Sequence, residues 1–349
     1  MEYRTLGNGG MVVSTLCLGT MTFGSESDEE IAHDQLDRFL EQGGNFLDTA
    51  DVYSDGESEK IIGRWLAARS GVRDQVVVAT KARFARGEGP NEVGLSRVSL
   101  ARALDGSLRR LGVDTIDLYQ AHAWDPLTPI EETLRFFDDA VRSGKVHYLG
   151  VSNFIGWQLQ KAVLLTRHLG LAPIVTLQPQ YNLLQRGVEF ELIQVCVNER
   201  IGILPWSPLG GGWLSGKYQR DSPPTGATRL GEDPERGMEA YARRNPEERT
   251  WRVIDAVRSV AEARGVSMAR VALAWLVDRP AVASVILGAR TLEQLEDNLG
   301  AADLHLSTKE TARLDEASAP IVDDYPYGDL GVSQRDRALP APRSFTPNP

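Results

Sequence analysis

Short apolar runs recur along the chain, and between them lie longer stretches in which apolar residues return every three or four positions. The runs cover residues 16–19, 46–49, 76–80, 116–121, 146–151, 174–178, 201–206 and 285–288. Runs this short and this uniformly apolar suit strands buried on both faces. Eight of them alternating with helical segments predict an α/β chain folded as a single-domain (β/α)8 TIM barrel, a closed parallel sheet ringed by helices. Helix boundaries are marked as well. Ser27-Asp28-Glu29-Glu30 reads as a capping box ahead of Ala32, Leu36, Phe39 and Leu40, and Gly43-Gly44 supplies a left-handed stop. Thr128-Pro129-Ile130-Glu131 repeats the device, with Pro129 expected at the first helical position before the stripe Ile130, Leu134, Phe137 and Val141. Leu100, Leu104, Leu108 and Leu111 form a further stripe that ends at Gly112.

A barrel of this kind takes roughly 250 residues, so the 349 present leave segments over. Tyr3 to Ser14, centred on Gly7-Asn8-Gly9-Gly10, reads as an N-terminal hairpin that closes the bottom of the barrel. Residues 221–245 are rich in Pro, Gly and charge without a clear period, and are expected to form a long loop over the C-terminal mouth. Residues 320–349 hold six of the 18 prolines, which argues against regular helix. The expected division is a barrel over 1–320 and a C-terminal tail over 321–349, a candidate substrate lid.

Composition narrows the function classes. A formal net charge of -10 and a pI near 5.2, with no Lys/Arg run, argue against a nucleic-acid backbone as partner. No apolar run nears the roughly 18 residues of a membrane span, and the start MEYRTLGNGG has no leader pattern, so a cytoplasmic protein is expected. Cys17 and Cys196 read as buried free thiols, and neither H-E-x-x-H nor a C-x-x-C pair occurs, so no metal is expected. Arginine outnumbers lysine 32 to 6, a bias suited to a GC-rich bacterial source.

The chemistry gathers just beyond the strand-like runs. Asp48 and Tyr53 follow the second, Lys81 the third and His122 the fourth. On neighbouring parallel strands all four meet at one mouth of the sheet. A free tyrosine, with a pKa of about 10, is a poor acid at neutral pH. A Lys81 ammonium is expected to lower that value, Asp48 to hold the ammonium charged, and His122 to orient a carbonyl oxygen. Singly, each residue has a plain structural reading as packing, ion pair or core histidine. Their order along the chain gives them one reading together: carbonyl reduction.

These residues resemble the Asp, Tyr, Lys and His tetrad of the aldo-keto reductases, and the similarity runs from about Tyr3 to about Pro320. The run Ala123-Trp124-Asp125-Pro126-Leu127-Thr128-Pro129-Ile130-Glu131-Glu132 and Trp206-Ser207-Pro208-Leu209 are similar to the branch containing the potassium channel β subunits and bacterial reductases. The resemblance implies a (β/α)8 barrel that uses NAD(P)H without a Rossmann domain. It assigns Tyr53 as general acid, Lys81 and Asp48 as its tuners and His122 as the group orienting the carbonyl. The channel subunits carry Asn where this chain has His122, a difference that favours a working enzyme. Some bacterial members reduce nucleotide-linked deoxysugars, so a keto-sugar or secondary metabolite is one expected substrate.

No G-x-G-x-x-G follows a strand, so a dinucleotide must be held otherwise. Ser152, Asn153 and Gln178 are polar groups at strand ends suited to a carboxamide, which the resemblance matches to the nicotinamide amide; loop capping is the alternative. Trp206 suits either stacking on the nicotinamide or core packing. In SPLGGGWLSG, Ser207, Leu209 and Gly212 belong to a glycine-rich turn whose N–H groups can approach a pyrophosphate, and Lys217 and Arg229 add charge. Gly288 precedes a predicted helix whose N-terminus offers amides to an anion. Here the resemblance implies 2′-phosphate contacts from Arg290 and Gln294, with Asp297 and Asn298 near adenine. An arginine fork beside that phosphate favours NADPH/NADP+ over NADH. Phe23, Trp124, Trp213 and Tyr325 are the expected substrate-facing residues. The expected partners are a small-molecule carbonyl compound and a second copy of the chain.

Two rival functions fit parts of the same sequence. A non-catalytic NADPH-binding sensor or regulatory subunit predicts binding without turnover. A serine hydrolase is suggested by Gly150-Val151-Ser152-Asn153-Phe154, but the nucleophile elbow needs glycine where Phe154 stands.

Overall fold

The computed structural model describes residues 1–226 and 228–336. Two strands, β1 (Tyr3–Thr5) and β2 (Val12–Ser14), pair antiparallel as the expected hairpin, with Tyr3 opposite Ser14. Eight further strands form one parallel sheet: β3 (Leu16–Gly19), β4 (Phe46–Asp48), β5 (Val77–Ala82), β6 (Ile116–Ala121), β7 (Val146–Ser152), β8 (Ile174–Gln178), β9 (Gly202–Ile203) and β10 (Val285–Leu287). Their order is β10-β3-β4-β5-β6-β7-β8-β9. The two ends meet through a parallel bridge from Ile203 to Val282, where Ile203 N–H donates to the Ala281 carbonyl at 2.7 Å, so the sheet closes into the (β/α)8 barrel.

The seventh apolar run supplies a shorter strand than its length suggests. Leu204 N–H still donates to Leu177, but Pro205 has no N–H to continue the ladder, and pairing resumes only at Trp206, which donates to the Pro179 carbonyl at 3.0 Å. Helix Glu29–Glu41 is capped by Asp28, whose side chain accepts from Ile31 N–H at 2.9 Å. Helix Arg97–Leu111 ends on left-handed Gly112 as its stripe predicts. Helix Ile130–Arg142 begins one residue later than expected. Pro129 is its N-cap, because Thr128 turns away to donate to Asp125 at 2.6 Å.

Period-two alternation sorts the strands into two apolar bodies. Cys17, Phe46, Ala79, Leu118, Val175, Leu204, Ala283 and Ile286 fill the barrel interior together with Leu6 and Val13 of the hairpin. Leu16, Leu18, Leu47, Val78 and Tyr119 face outward into the shell beneath the helices. Two residues beyond Phe46, Ala79 and Leu118 on the inward face come Asp48, Lys81 and Gln120, so the packed interior is also the floor of a polar layer.

Residues 221–245 are more ordered than a plain loop: helices Arg229–Glu232 and Tyr241–Arg244 interrupt them, pinned by buried Leu230 and Tyr241. Residues 1–318 form one compact unit and 319 onward a second. Within the second, helix Asp329–Arg335 fits between Pro326 and Pro340, correcting the expectation of no regular helix. Residues 337–349 of the proposed lid lie outside the described residues.

Candidate active site

Register brings the polar layer together. Asp48 stands opposite Ala79, Lys81 opposite Gln120, Ala121 opposite Val151 and Ser152 opposite Gln178. The Lys81 ammonium is fully buried and donates to Asp48 Oδ2 at 2.6 Å, to the Thr49 carbonyl at 2.7 Å and to Tyr53 Oη at 3.1 Å. Three protons meet three acceptors, which satisfies an otherwise costly buried charge. Burial alone would lower the Lys81 pKa, but Asp48 and Tyr53 hold it above the ordinary lysine value. Asp48 is held on its other oxygen by Gln178 at 2.9 Å and by Gln120 at 3.3 Å.

Tyr53 sits in a tight turn after β4, where Ser54 and Asp55 adopt left-handed backbone. Its pKa is moved up, against the expectation from sequence. Burial of the hydroxyl, aided by the Asp48 charge, outweighs the pull of Lys81. His122 meets the Tyr53 ring edge to face at 5.9 Å and Phe84 at 4.6 Å. Burial, with the Lys81 and Arg83 charges, pushes its pKa down to about 2, so the imidazole is neutral.

On the opposite wall, Asn153 takes a left-handed conformation, donates to the His122 carbonyl at 2.9 Å and accepts from Trp206 Nε1 at 3.1 Å. Ser152 donates to the Gln178 carbonyl at 2.8 Å. Ser207 is also left-handed, and its carbonyl accepts from buried Asn182, a residue that the sequence reading missed. The glycine-rich turn holding Leu209 runs through Gly210, Gly211 and Gly212, all at positive φ, a conformation that only glycine adopts freely.

Beyond it lies a charged cluster. Arg290 forms a fork to Glu232 at 2.8 and 2.9 Å and reaches Glu26 at 3.1 Å; Arg236 also pairs with Glu26. Glu26, Glu232 and Arg236 carry no mark in the sequence, because Glu26 lies 210 positions from Arg236 and Glu232 lies 58 from Arg290. Arg229 has no ion pair among the described residues, and burial with its neighbours Arg236 and Arg290 lowers its pKa. The Lys217 ammonium is lowered likewise by partial burial and by Arg290. Four cations against two carboxylates leave a local positive excess. Gln294 accepts from Arg290 N–H at 3.0 Å, Asp297 pairs with Arg270 at 2.9 Å, and Asn298 donates to the Gly288 carbonyl at 3.4 Å.

Two expected substrate residues belong to the core instead. Trp213 is fully buried, stacked on Tyr241 at 5.5 Å and donating to the Glu239 carbonyl at 2.9 Å. Phe23 is fully buried against the shell. Each lies near a mouth loop, but its apolar bulk turns inward because the loop packs over it. Trp124 stays partly exposed, edge-on to Phe154 and Trp157. Tyr325 belongs to the second unit.

Against this geometry, the sequence profile of the Aldo/keto reductase family matches residues 15–319. The chain belongs to the aldo/keto reductase family. It is 38% identical over 322 residues to the uncharacterized oxidoreductase YrpG of Bacillus subtilis, covering 90% of this chain and 94% of that protein. It is 36% identical over 309 residues to a probable voltage-gated potassium channel subunit beta of Oryza sativa (87% and 92% covered). It is 35% identical over 346 residues to an aryl-alcohol dehydrogenase [NADP(+)] of Phanerodontia chrysosporium (93% and 88% covered). The family and these relatives support an oxidoreductase acting on carbonyl compounds. Among the described residues, no helix of this family member is long and apolar enough to cross a membrane.

Proposed function

We propose that this chain reduces an aldehyde or ketone to an alcohol with NADPH, using Tyr53 as proton donor. The observation that carries the reading is the direction of one hydrogen bond. Lys81 has only donors, so at 3.1 Å the Tyr53 oxygen must accept, and its own O–H is left to point elsewhere. A carbonyl oxygen at the mouth would receive that proton.

His122 supplies the second donor. Its Nδ1 is sealed without a protein partner, and a sealed donor costs more than a sealed acceptor, so the neutral ring carries its proton on Nε2. Asp48 keeps Lys81 charged through the reaction, and Lys81 stabilises negative charge developing on the phenol oxygen.

Bound NADPH supplies a hydride to the carbonyl carbon. The residues present fit such a group. Asn153 and Gln178 offer amides at the strand ends, the Gly210–Gly212 turn exposes backbone, and the unneutralised cations Lys217 and Arg229 beside Arg290 suit phosphates. The fork of Arg290 supports NADPH over NADH, with Glu232 and Glu26 as the groups it would leave. The remaining assignments belong to the same proposal: a cytoplasmic bacterial enzyme, a keto-sugar or other secondary metabolite as substrate, self-association, and the tail as a lid. Truncation after Pro320 tests the lid; unchanged KM values across several carbonyls defeat it.

The test of function is NADPH oxidation against a panel of aldehydes, ketones and keto-sugars. Wild-type turnover is expected, and Tyr53→Phe should lose about 10²- to 10⁴-fold in kcat. The likeness to channel β subunits favours a second reading, a nucleotide-binding regulatory subunit, which predicts NADPH binding with no turnover by either protein.

A further inference from the structure

The His122 wall of the site carries a cation that the fold does not neutralise. Arg83 follows directly on β5, two residues after Lys81. Its guanidinium carbon lies 5.2 Å from the centre of the Phe84 ring, and that ring packs edge-on against His122 at 4.6 Å. Among the described residues the Arg83 side chain has no ion pair and no hydrogen bond, and its Nε is closed off from solvent without a partner. The carboxylates that could serve it are engaged elsewhere. Asp125 accepts from Leu95 N–H at 2.8 Å, Leu127 N–H at 3.0 Å and Thr128 Oγ1 at 2.6 Å. Asp48 is held by Lys81 and Gln178. The Arg83 charge nonetheless reaches the site, since it helps Lys81 suppress protonation of His122.

A purely structural arginine at a loop start usually finds a carbonyl or a carboxylate, because leaving guanidinium protons unmatched near apolar rings is costly. A planar fork beside Phe84 matches a carboxylate in shape, with two parallel hydrogen bonds. We infer that Arg83 is a specificity-determining residue that receives a carboxylate of the substrate, so that the preferred carbonyl compounds are acids whose carboxylate stands a short spacer or one aromatic ring away from the carbonyl. This rests on the reductase reading above and gives it a substrate class.

The experiment compares kcat/KM for 4-formylbenzoate and its uncharged methyl ester, with NADPH, in wild type, Arg83→Gln and Arg83→Lys. A short aldehyde phosphate serves as a second anion. Wild type should favour the acid over the ester by about tenfold or more, the effect of one charge-assisted pair. Arg83→Gln should bring the ratio near one, and Arg83→Lys should keep part of it. An acid-to-ester ratio near one in wild type, a ratio unchanged in Arg83→Gln, or a stronger preference for the phosphate overturns the inference. If wild type turns over nothing, the reductase reading fails by itself, and binding of 4-(hydroxymethyl)benzoate by calorimetry still decides the anion site. Binding about tenfold weaker in Arg83→Gln upholds it, and equal binding overturns it.

Discussion

At the scale of single residues, the site is governed by how buried groups share protons. Lys81→Met would strand the Asp48 carboxylate in the interior, and losing one partner of a buried pair typically costs about 3–5 kcal/mol. We expect a thermal midpoint lowered accordingly, together with loss of turnover, both measurable on one preparation. The pH profile of carbonyl reduction follows from the same groups. His122 stays neutral down to about 2 and the Tyr53 hydroxyl is shifted up. Reduction should therefore show no limb from histidine near pH 6.5, and its basic limb should lie above the ordinary tyrosine value of about 10; a limb at pH 6 to 7 that survives in His122→Gln argues for another group. The buried carboxyl of Asp51 lies in that range. Both its oxygens lack hydrogen bonds, with Arg86 3.4 Å away, and burial beside Glu59 moves its pKa from 3.8 up to about 7. The native protein thus keeps a proton that the unfolded chain loses near 3.8, so Asp51 lowers stability progressively as pH rises from about 4 to about 7. His122 acts in the opposite sense: unfolded histidine takes up a proton near 6.5 that the native ring refuses, so its contribution is lost as pH falls below that value. Replacing Asp51 by Asn should raise the midpoint relative to wild type by about 2 °C more at pH 8 than at pH 5. A difference that is constant with pH would mean that Asp51 is ionised throughout.

At the scale of elements, the segment from Thr228 to Tyr241 is tied through ion pairs to the end of the barrel where the helix Leu292–Leu299 begins. Arg290 grips Glu232 and Glu26, and Arg236 grips Glu26. If Arg290 serves the nucleotide phosphate, Glu232 competes for the same fork. Glu232→Gln is then expected to tighten NADPH binding severalfold, with a smaller effect on NADH, as fluorescence titration would read; equal changes for the two would detach Arg290 from the 2′-phosphate. The tie also marks where sequence reading stops. Apolar runs and capping residues announce strands and helices because they act within ten or twenty residues, and Asp48, Lys81 and His122 stand out as polar side chains just past such runs. Gln120 lacks that mark: it lies inside the run 116–121, and only its alternation with Leu118 places it on the inward face of β6 beside Asp48. The partners of Arg290 carry no such signal, because they come from segments 58 and 264 positions away. Trp213 and Phe23 misled for a related reason: an aromatic residue in a loop after a strand looks alike whether the loop packs over it or leaves it at the rim.

At the scale of the whole molecule, stability and chemistry are separated along the barrel axis, as expected where catalytic groups stand at the C-terminal ends of strands. The N-terminal hairpin contributes Leu6 and Val13 to the interior cluster, at the end away from Asp48 and Lys81. Between them the chain turns at Gly7, which lies at φ 60, and a Cβ there would come within 2.2 Å of the Val175 carbonyl and 2.7 Å of Gly202 N. Both contacts are backbone atoms of barrel segments that side-chain motion cannot relieve. Gly7→Ala should therefore cost roughly 2–4 kcal/mol, combining a left-handed alanine with displaced backbone. Gly10, in the same hairpin, has open space around it and an ordinary φ, so Gly10→Ala should leave the midpoint within about 1 °C of wild type. The pair isolates close approach from general hairpin flexibility. Because the polar layer is built by β4, β5, β6 and β8 above the packed floor, Gly7→Ala assayed well below its own midpoint should retain the kcat and KM of wild type. A fall in kcat without unfolding would show that the plug strains the strand ends bearing Asp48 and Lys81, and that the two ends of the barrel are mechanically coupled after all.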